Sequence, residues 1–325
     1  MRVKVIRVDR IGGPDVLQPA EGDAPQVQAG ELLIRQTAVG VNYIDVYLRT
    51  GAYPHALPFV PGREGVGVVE ALGPGVAGFT PGMRVGYPES PNLGSYAECV
   101  TVPARFCVEV PAGVEDAVAC GAMLQALTAQ YLATDSYKIG PGDHVLIHAA
   151  AGGVGRVLVQ LAKRRGAVVI ATAGGAEKTA LAKSAGADHA IDYRSGFIDQ
   201  VKDLTGGRGV DIVYDPIGDK VADESLRCLA WGGRLLILGF LGGGPTNIRS
   251  NYLLIKGIDA VGVRIGGLNE ANPALAIANM KALIALAEQG KLRPRISHTF
   301  RLEQAAEALQ VVIDRAVIGK AVLLS

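Results

Sequence analysis

The feature that most constrains this chain is the run from Val145 to Ala162. Val145-Leu-Ile-His148 is an apolar stretch of strand length, Ala149-Ala-Ala-Gly-Gly-Val-Gly155 is a turn of small residues, and Arg156-Val-Leu-Val-Gln-Leu-Ala162 has helical periodicity. Gly152 and Gly155 fill the last two positions of G-x-G-x-x-G, with Ala150 in the first. Small residues at such a turn let the backbone approach a pyrophosphate, and the start of the following helix favours its negative charge. The same turn also serves as a plain strand-to-helix connection, so the rest of the chain has to decide between the two.

Strand-like runs at 143–148, 168–172, 188–191, 210–214, 234–239 and 258–263 recur after residue 126, with helices expected at about 153–165, 176–185 and 220–229. Continuous apolar strands alternating with helices predict a parallel, doubly wound α/β sheet, and six strands complete a dinucleotide-binding fold. The first part of the chain has another rhythm. Glu31–Val39, Val66–Leu72 and Ala97–Val102 read as short strands between turns at Gly73-Pro74 and Pro81-Gly82, which predicts a largely β domain. Beyond Val263, helices are expected at about 270–289 and 302–314, then a last strand, Gly319–Leu324, whose partner periodicity leaves open.

Composition narrows the function classes. A chain of 325 residues with 49% hydrophobic content buries a core large enough for two domains. A net charge of +1 offers no basic surplus for nucleic acid or an anionic membrane. No stretch reaches the roughly 18 uninterrupted apolar residues of a membrane span. Met1-Arg-Val-Lys-Val-Ile-Arg-Val8 alternates like a strand and lacks the long apolar region of a signal peptide, so a cytoplasmic protein is expected. Cys99, Cys107, Cys120 and Cys228 form no C-x-x-C pair, which excludes a four-cysteine zinc lobe. His144 and His148 stand four apart on a strand, a span of roughly 13 Å that keeps them from sharing one ion.

The second strand of the nucleotide domain ends at Ala173-Gly174 without the carboxylate that would accept a ribose 2′-hydroxyl, and Lys178 follows in the next helix. Missing the acid removes repulsion of a 2′-phosphate and Lys178 offers it a cation, which favours NADPH over NADH. Tyr193, just beyond the third strand, either meets the adenosine end of the cofactor or packs its own loop. Asp215, in Val213-Tyr-Asp-Pro-Ile-Gly218, reads as the cap of a glycine turn rather than as a catalytic acid.

Several segments match a known family in order: Ile11-Gly-Gly-Pro-Asp-Val-Leu17, Val41-Asn-Tyr-Ile-Asp45, Gly51-Ala-Tyr53, Val60-Pro-Gly-Arg-Glu-Gly65 and the 148–155 turn. Gly186-Ala-Asp-His-Ala-Ile-Asp-Tyr193, Leu204-Thr-Gly-Gly-Arg-Gly-Val-Asp211 and Val213–Gly218 continue the match. Across essentially its whole length the chain resembles the zinc-free quinone oxidoreductase, or zeta-crystallin-like, branch of the medium-chain dehydrogenase/reductase superfamily. The resemblance implies a GroES-like, mostly β catalytic domain at 1–125, a Rossmann NADP-binding domain at 126–264 and a C-terminal segment, 265–325, returning to the catalytic domain, with the active site in the cleft.

It also implies site residues. Gly152, Gly153, Val154 and Gly155 match the pyrophosphate loop, and Gly174, Lys178 and Tyr193 match positions that hold the adenosine 2′-phosphate. Thr128 and Phe240 match residues near the nicotinamide, and Asn42, Tyr47 and Tyr53 match positions lining the substrate pocket. Zinc-dependent relatives carry a cysteine at Asn42 and a histidine at Arg63, so an enzyme without metal is implied. Arg264 stands where close relatives often carry an aromatic residue, poised either to attract an anionic substrate or to form a surface ion pair. The implied activity is hydride transfer from NADPH to a quinone in a homodimer. Tyr53 would act as hydrogen-bond donor to the product anion, and Asn42 and Tyr47 as positioning groups. Two alternatives stand beside it: reduction of an activated C=C bond in an enone, enal or enoyl thioester, and a non-catalytic NADPH-binding crystallin-like or RNA-binding protein, which the near-neutral charge disfavours.

Overall fold

Alternation of apolar and polar residues builds the first strands, and glycine or proline ends them. In this computed structural model, residues 1–244 and 246–325 are described, with side chains at all of these except Leu268 and Asn269. The chain divides into two compact units, Met1–Leu127 with Gly266–Ser325, and Thr128–Ile265.

The first unit opens with β1 (Arg2–Arg7) and β2 (Gln18–Asp23), which form an antiparallel pair. The long β3 (Glu31–Val41) is its spine. Leu32, Ile34, Val39 and Val41 point into two cores, and Gln36 is the one polar residue of the strand that is buried. Helix α1 (Tyr43–Thr50) follows and stops at Gly51, whose φ of 78° supplies the left-handed residue that ends a helix. Strands β4 (Gly65–Leu72), β5 (Arg84–Tyr87), β6 (Cys99–Pro103) and β7 (Val108–Glu109) and helices α2 (Asp116–Gly121) and α3 (Leu124–Tyr131) complete this stretch.

In the second unit, β8 (His144–Ile147), β9 (Val168–Ala173), β10 (His189–Asp192), β11 (Val210–Asp215), β12 (Leu229–Ile237) and β13 (Asp259–Gly262) form one sheet, all parallel, in the order β10-β9-β8-β11-β12-β13. The chain reverses its winding direction between β8 and β11, the place where ligands meet such sheets. Between the strands run α4 (Gly153–Arg164), α5 (Ala176–Ser184), α6 (Ile198–Leu204), α7 (Asp219–Cys228) and α8 (Ser250–Lys256). Five strands lie within two residues of where periodicity predicts them. The exception is β12, which begins at Leu229 rather than 234, because a bulge at Gly232 (φ 75°) and Gly233 breaks the apolar run. At seven residues, α6 is too short to register as a period.

The helix predicted at about 270–289 is α10 (Pro273–Glu288), and a short helix that periodicity does not show, α9 (Ile265–Ala271), precedes it. Pro273 cannot continue a helix but starts one well, and the Asn272 side chain caps the new helix by accepting the Leu275 N–H at 3.1 Å. Strand β14 (Ile296–Arg301), helix α11 (Ala305–Ile313) and strand β15 (Lys320–Leu324) end the chain. β15 pairs antiparallel with β3 and parallel with β14, giving the sheet order β14-β15-β3-β4-β5-β7 with β6 also on β3. The C-terminal strand is therefore an interior strand of the first unit. Among the described residues no helix is long and apolar enough to cross a membrane.

Candidate functional site

The turn after β8 is built by two opposing requirements, tightness and close approach. Ala149 takes the left-handed φ of 50°, one residue earlier than the first glycine position of the motif at Ala150. The Ala150 N–H donates to the Thr172 carbonyl at 3.0 Å, and the Gly152 N–H donates to the Ala149 carbonyl at 2.9 Å. Gly152 is the N-cap of α4. A Cβ on Gly155 would stand 2.5 Å from the Ala149 oxygen and 2.8 Å from the Ala150 Cα, both backbone, so only glycine lets the helix sit this close to the turn. Gly153, Val154 and Gly155 form the first turn of α4, whose N–H groups have no partner within the helix and point at whatever anion lies before it.

Under this turn, His148 ties three elements together. The Ser225 hydroxyl donates to the Val221 carbonyl at 2.6 Å, so it must accept from His148 Nε2–H at 2.8 Å, which leaves Nδ1 to accept the Thr172 hydroxyl at 2.8 Å. Burial pushes the imidazole down to about 3, so this histidine is a neutral strut between β8, β9 and α7.

The carboxyl end of β9 gives way to two glycines, each covered by a side chain from the segment after β10. A Cβ on Gly174 would lie 2.9 Å from the Tyr193 hydroxyl oxygen, and one on Gly175 would lie 3.0 Å from Arg194 Nη2. Lys178 sits in the first turn of α5, the helix that follows. β9 itself carries no carboxylate at this end. The structure brings one from β10: Asp192 accepts the Gly175 N–H and is gripped by Arg194, whose Nε and Nη2 reach it at 2.9 and 2.5 Å. The Arg194 hydrogen bonds hold the Asp192 carboxyl far below its ordinary range. A pairing across two elements such as this leaves no trace in the spacing of either.

At the carboxyl end of β11, Asp215 is buried and accepts the N–H groups of Ile217 at 2.7 Å and Gly218 at 3.1 Å, which is the turn-cap role. Burial raises its pKa. Phe240, in the loop after β12, lies over Gly218: a Cβ there would be 3.3 Å from its ring. Thr128 belongs to α3, and Arg264 is exposed just beyond β13.

In the first unit, the turn at Gly51 folds the chain back so that the Tyr53 N–H donates to the Tyr47 carbonyl at 3.0 Å. The rings of Tyr47 and Tyr53 lie 5.0 Å apart, and those of Tyr43 and Tyr47 5.2 Å. Tyr53 is 43% exposed. Asn42 is brought to the start of the same helix, but its side chain is turned inward to Glu64 and Lys320. Next to it, Asp45 accepts the Asn42 N–H at 3.0 Å and the Tyr96 hydroxyl at 2.9 Å, and burial pushes its carboxyl up to about 6. Arg63 donates to Glu89 at 2.9 Å. An amide and a guanidinium at these two positions supply no anionic ligand, and both oxygens of the adjoining Glu64 are already engaged. Among the described residues no three His, Cys, Asp or Glu side chains gather into a metal-binding set.

Comparison with known proteins gives this geometry a family. A model of the alcohol dehydrogenase GroES-like domain matches residues 28–112, and one described as zinc-binding dehydrogenase matches residues 153–282, a span that contains neither Asn42 nor Arg63. The quinone oxidoreductase of Pseudomonas aeruginosa is 36% identical over 99% of this chain and 99% of its own. The chain belongs to the quinone oxidoreductases of the medium-chain dehydrogenase/reductase superfamily. The 2-haloacrylate reductase of a Burkholderia species is 38% identical over 98% of this chain and 97% of its own. The structure of Escherichia coli quinone oxidoreductase complexed with NADPH superposes with a TM-score of 0.95 at 32% identity, covering 99% of this chain and 100% of that one.

Proposed function

We propose that this quinone oxidoreductase family member transfers hydride from NADPH to a quinone without a metal. The observation that carries the reading is the end of β9, where two glycines lie under Tyr193 and Arg194 and Lys178 opens the next helix. A phosphate-bearing ribose fits there, and the pyrophosphate fits the start of α4, where Gly155 is kept bare by backbone contacts. NADPH, when bound, supplies the hydride. Gly153, Val154 and Gly155 hold its pyrophosphate, Lys178, Gly174 and Tyr193 its 2′-phosphate, and Thr128 and Phe240 border the nicotinamide. A quinone that accepts hydride becomes an anion, and Tyr53 donates a hydrogen bond and then a proton to that oxygen while Tyr47 holds the Tyr53 ring.

A second reading, reduction of an activated C=C bond, is favoured by the likeness to 2-haloacrylate reductase. There a proton must reach the α-carbon after hydride reaches the β-carbon, a demand that falls on Tyr53. Steady-state assays with a 1,4-naphthoquinone and with an enone, run in parallel on the wild type and on Tyr53→Phe, separate the two. Quinone turnover in excess of enone turnover is expected, with a loss of about 10²-fold or more for the quinone in Tyr53→Phe, the low end of what a positioned proton donor supplies. Full quinone activity in the variant would remove Tyr53 from the mechanism.

The protein is further proposed to be a cytoplasmic homodimer. β13 is an edge strand, and beside it Trp231, Leu254 and Ile255 are 82%, 84% and 73% exposed. The Trp231 indole packs within 3.7 Å of where a Gly257 Cβ would stand, at the end of α8, the helix that carries Leu254 and Ile255. A strand edge that is unpaired among the described residues, with large exposed apolar side chains in the same unit, is completed by a second copy related by a two-fold axis. The double variant Trp231→Glu, Leu254→Glu is expected to run as a monomer in light scattering; an unchanged mass would place the interface elsewhere.

A further inference from the structure

A buried ion pair in the first unit joins the last strand to the start of the substrate-facing helix. Lys320 and Glu64 side chains are 2% and 0% exposed and form a direct ion pair. Lys320 Nζ also donates to Asn42 Oδ1 at 2.7 Å. Glu64 Oε1 accepts Asn42 Nδ2 at 2.6 Å, and Oε2 accepts the Leu124 N–H at 2.8 Å. The other Asn42 amide hydrogen reaches the Gly40 carbonyl at 3.3 Å. Room for the carboxylate is made by Gly40, where a Cβ would stand 2.2 Å from Glu64 Oε1.

Replacing a buried ion pair by apolar or neutral groups of similar volume is often harmless to stability, whereas removing one partner is costly. Stability is thus a weak reason to keep a dehydrated ammonium and carboxylate here. Geometry is a better one. A carboxamide on its own rotates and offers either end to its surroundings. Here the ammonium can only donate to the oxygen end and the carboxylate can only accept from the nitrogen end, so the pair fixes one orientation. Asn42 immediately precedes α1, which carries Tyr43 and Tyr47, and Tyr47 holds Tyr53.

We propose that Lys320 and Glu64 are positioning residues for the acceptor site: by clamping the Asn42 carboxamide from both ends they fix the entry of α1 and, through it, the Tyr47–Tyr53 pair. The inference rests on the functional reading above, which places the acceptor at Tyr53 with Tyr47 beside it. The pair sits on strands and a glycine-backed loop, so it is rigid before any ligand arrives. That is what orientation of a reacting group requires, since a misplacement of about 1 Å costs roughly 10²-fold in rate.

The test is a mutant cycle on the full-length protein. Lys320→Met alone leaves Glu64 buried and unpaired and is expected to fold poorly, so the decisive variant is the neutral double Glu64→Gln, Lys320→Met, compared with Asn42→Ala and with the triple variant. Circular dichroism melting, NADPH affinity by fluorescence titration, and kcat and KM for a 1,4-naphthoquinone and an enone are measured for each. The double variant is expected to melt near the wild type and to bind NADPH as the wild type does, while kcat/KM falls roughly 10- to 100-fold, mostly in kcat. Adding Asn42→Ala should cost little more, because the pair acts through Asn42. A folded double variant with wild-type kcat/KM overturns the proposal, as does a triple variant whose loss is the product of the separate losses. Wild type inactive on both acceptors with NADPH bound refutes the functional reading and this inference with it; activity in the wild type with the cycle failing refutes the inference alone.

Discussion

Lys178→Ala is expected to weaken NADPH binding by roughly 10- to 100-fold, the equivalent of losing one charge-assisted hydrogen bond of about 1.5–3 kcal/mol, while NADH binding stays nearly unchanged. The two cofactors differ only at the ribose 2′ position, so the effect isolates that end of the site. β9 ends in Ala173 and Gly174 and brings no acid of its own. The carboxylate that does arrive, Asp192, is matched in charge by the bidentate Arg194, so it does not repel a phosphate as a lone acid would. Lys178, in the first turn of α5, is then the cation whose charge is added to that balance. Titrating the intrinsic fluorescence of the wild type and the variant with each cofactor measures both affinities. A loss shared equally by NADPH and NADH would show that Lys178 supports the helix rather than the phosphate.

What the sequence disclosed and what it withheld follow from the range of the interactions. The existence of the six parallel strands was legible because each carries a short apolar run near a glycine turn, a signal contained in a few residues; only the start of β12, behind the Gly232-Gly233 bulge, was not. The glycine turn after β8 was legible for the same reason, although the strained backbone position proved to be Ala149 and not Ala150. Asp192 escaped because its partner surface is the end of another strand. Lys320 escaped more completely. A lysine one residue from a glycine at the start of a terminal strand reads as solvated, and nothing near it in sequence announces Glu64, Asn42 or the pairing of β15 with β3. Tyr47 and Tyr53 lie between these extremes: the helix, its glycine stop and the return of the chain are local, so their contact follows once α1 is formed.

Gly155→Ala tests the other half of the cofactor site and should fail differently. The added methyl would meet the Ala149 oxygen at 2.5 Å and the Ala150 Cα at 2.8 Å, and both belong to the backbone of the turn it is meant to fit. Neither is the end of a flexible side chain, so the relief has to come from α4 moving away from β8. Val157, Leu158 and Leu161 are buried on α4 and resist that movement. Overpacking of this kind costs about 1–3 kcal/mol, so the variant should melt earlier than the wild type. The displaced helix start also takes its N–H groups away from the pyrophosphate, which NADPH and NADH share. Both cofactors should therefore weaken by the same factor, in contrast to the selective loss in Lys178→Ala. Calorimetric melting with paired fluorescence titrations measures the two effects together. A Gly155→Ala protein that melts as the wild type and binds both cofactors normally would mean that α4 yields freely, and that the turn is a connection before it is a cradle.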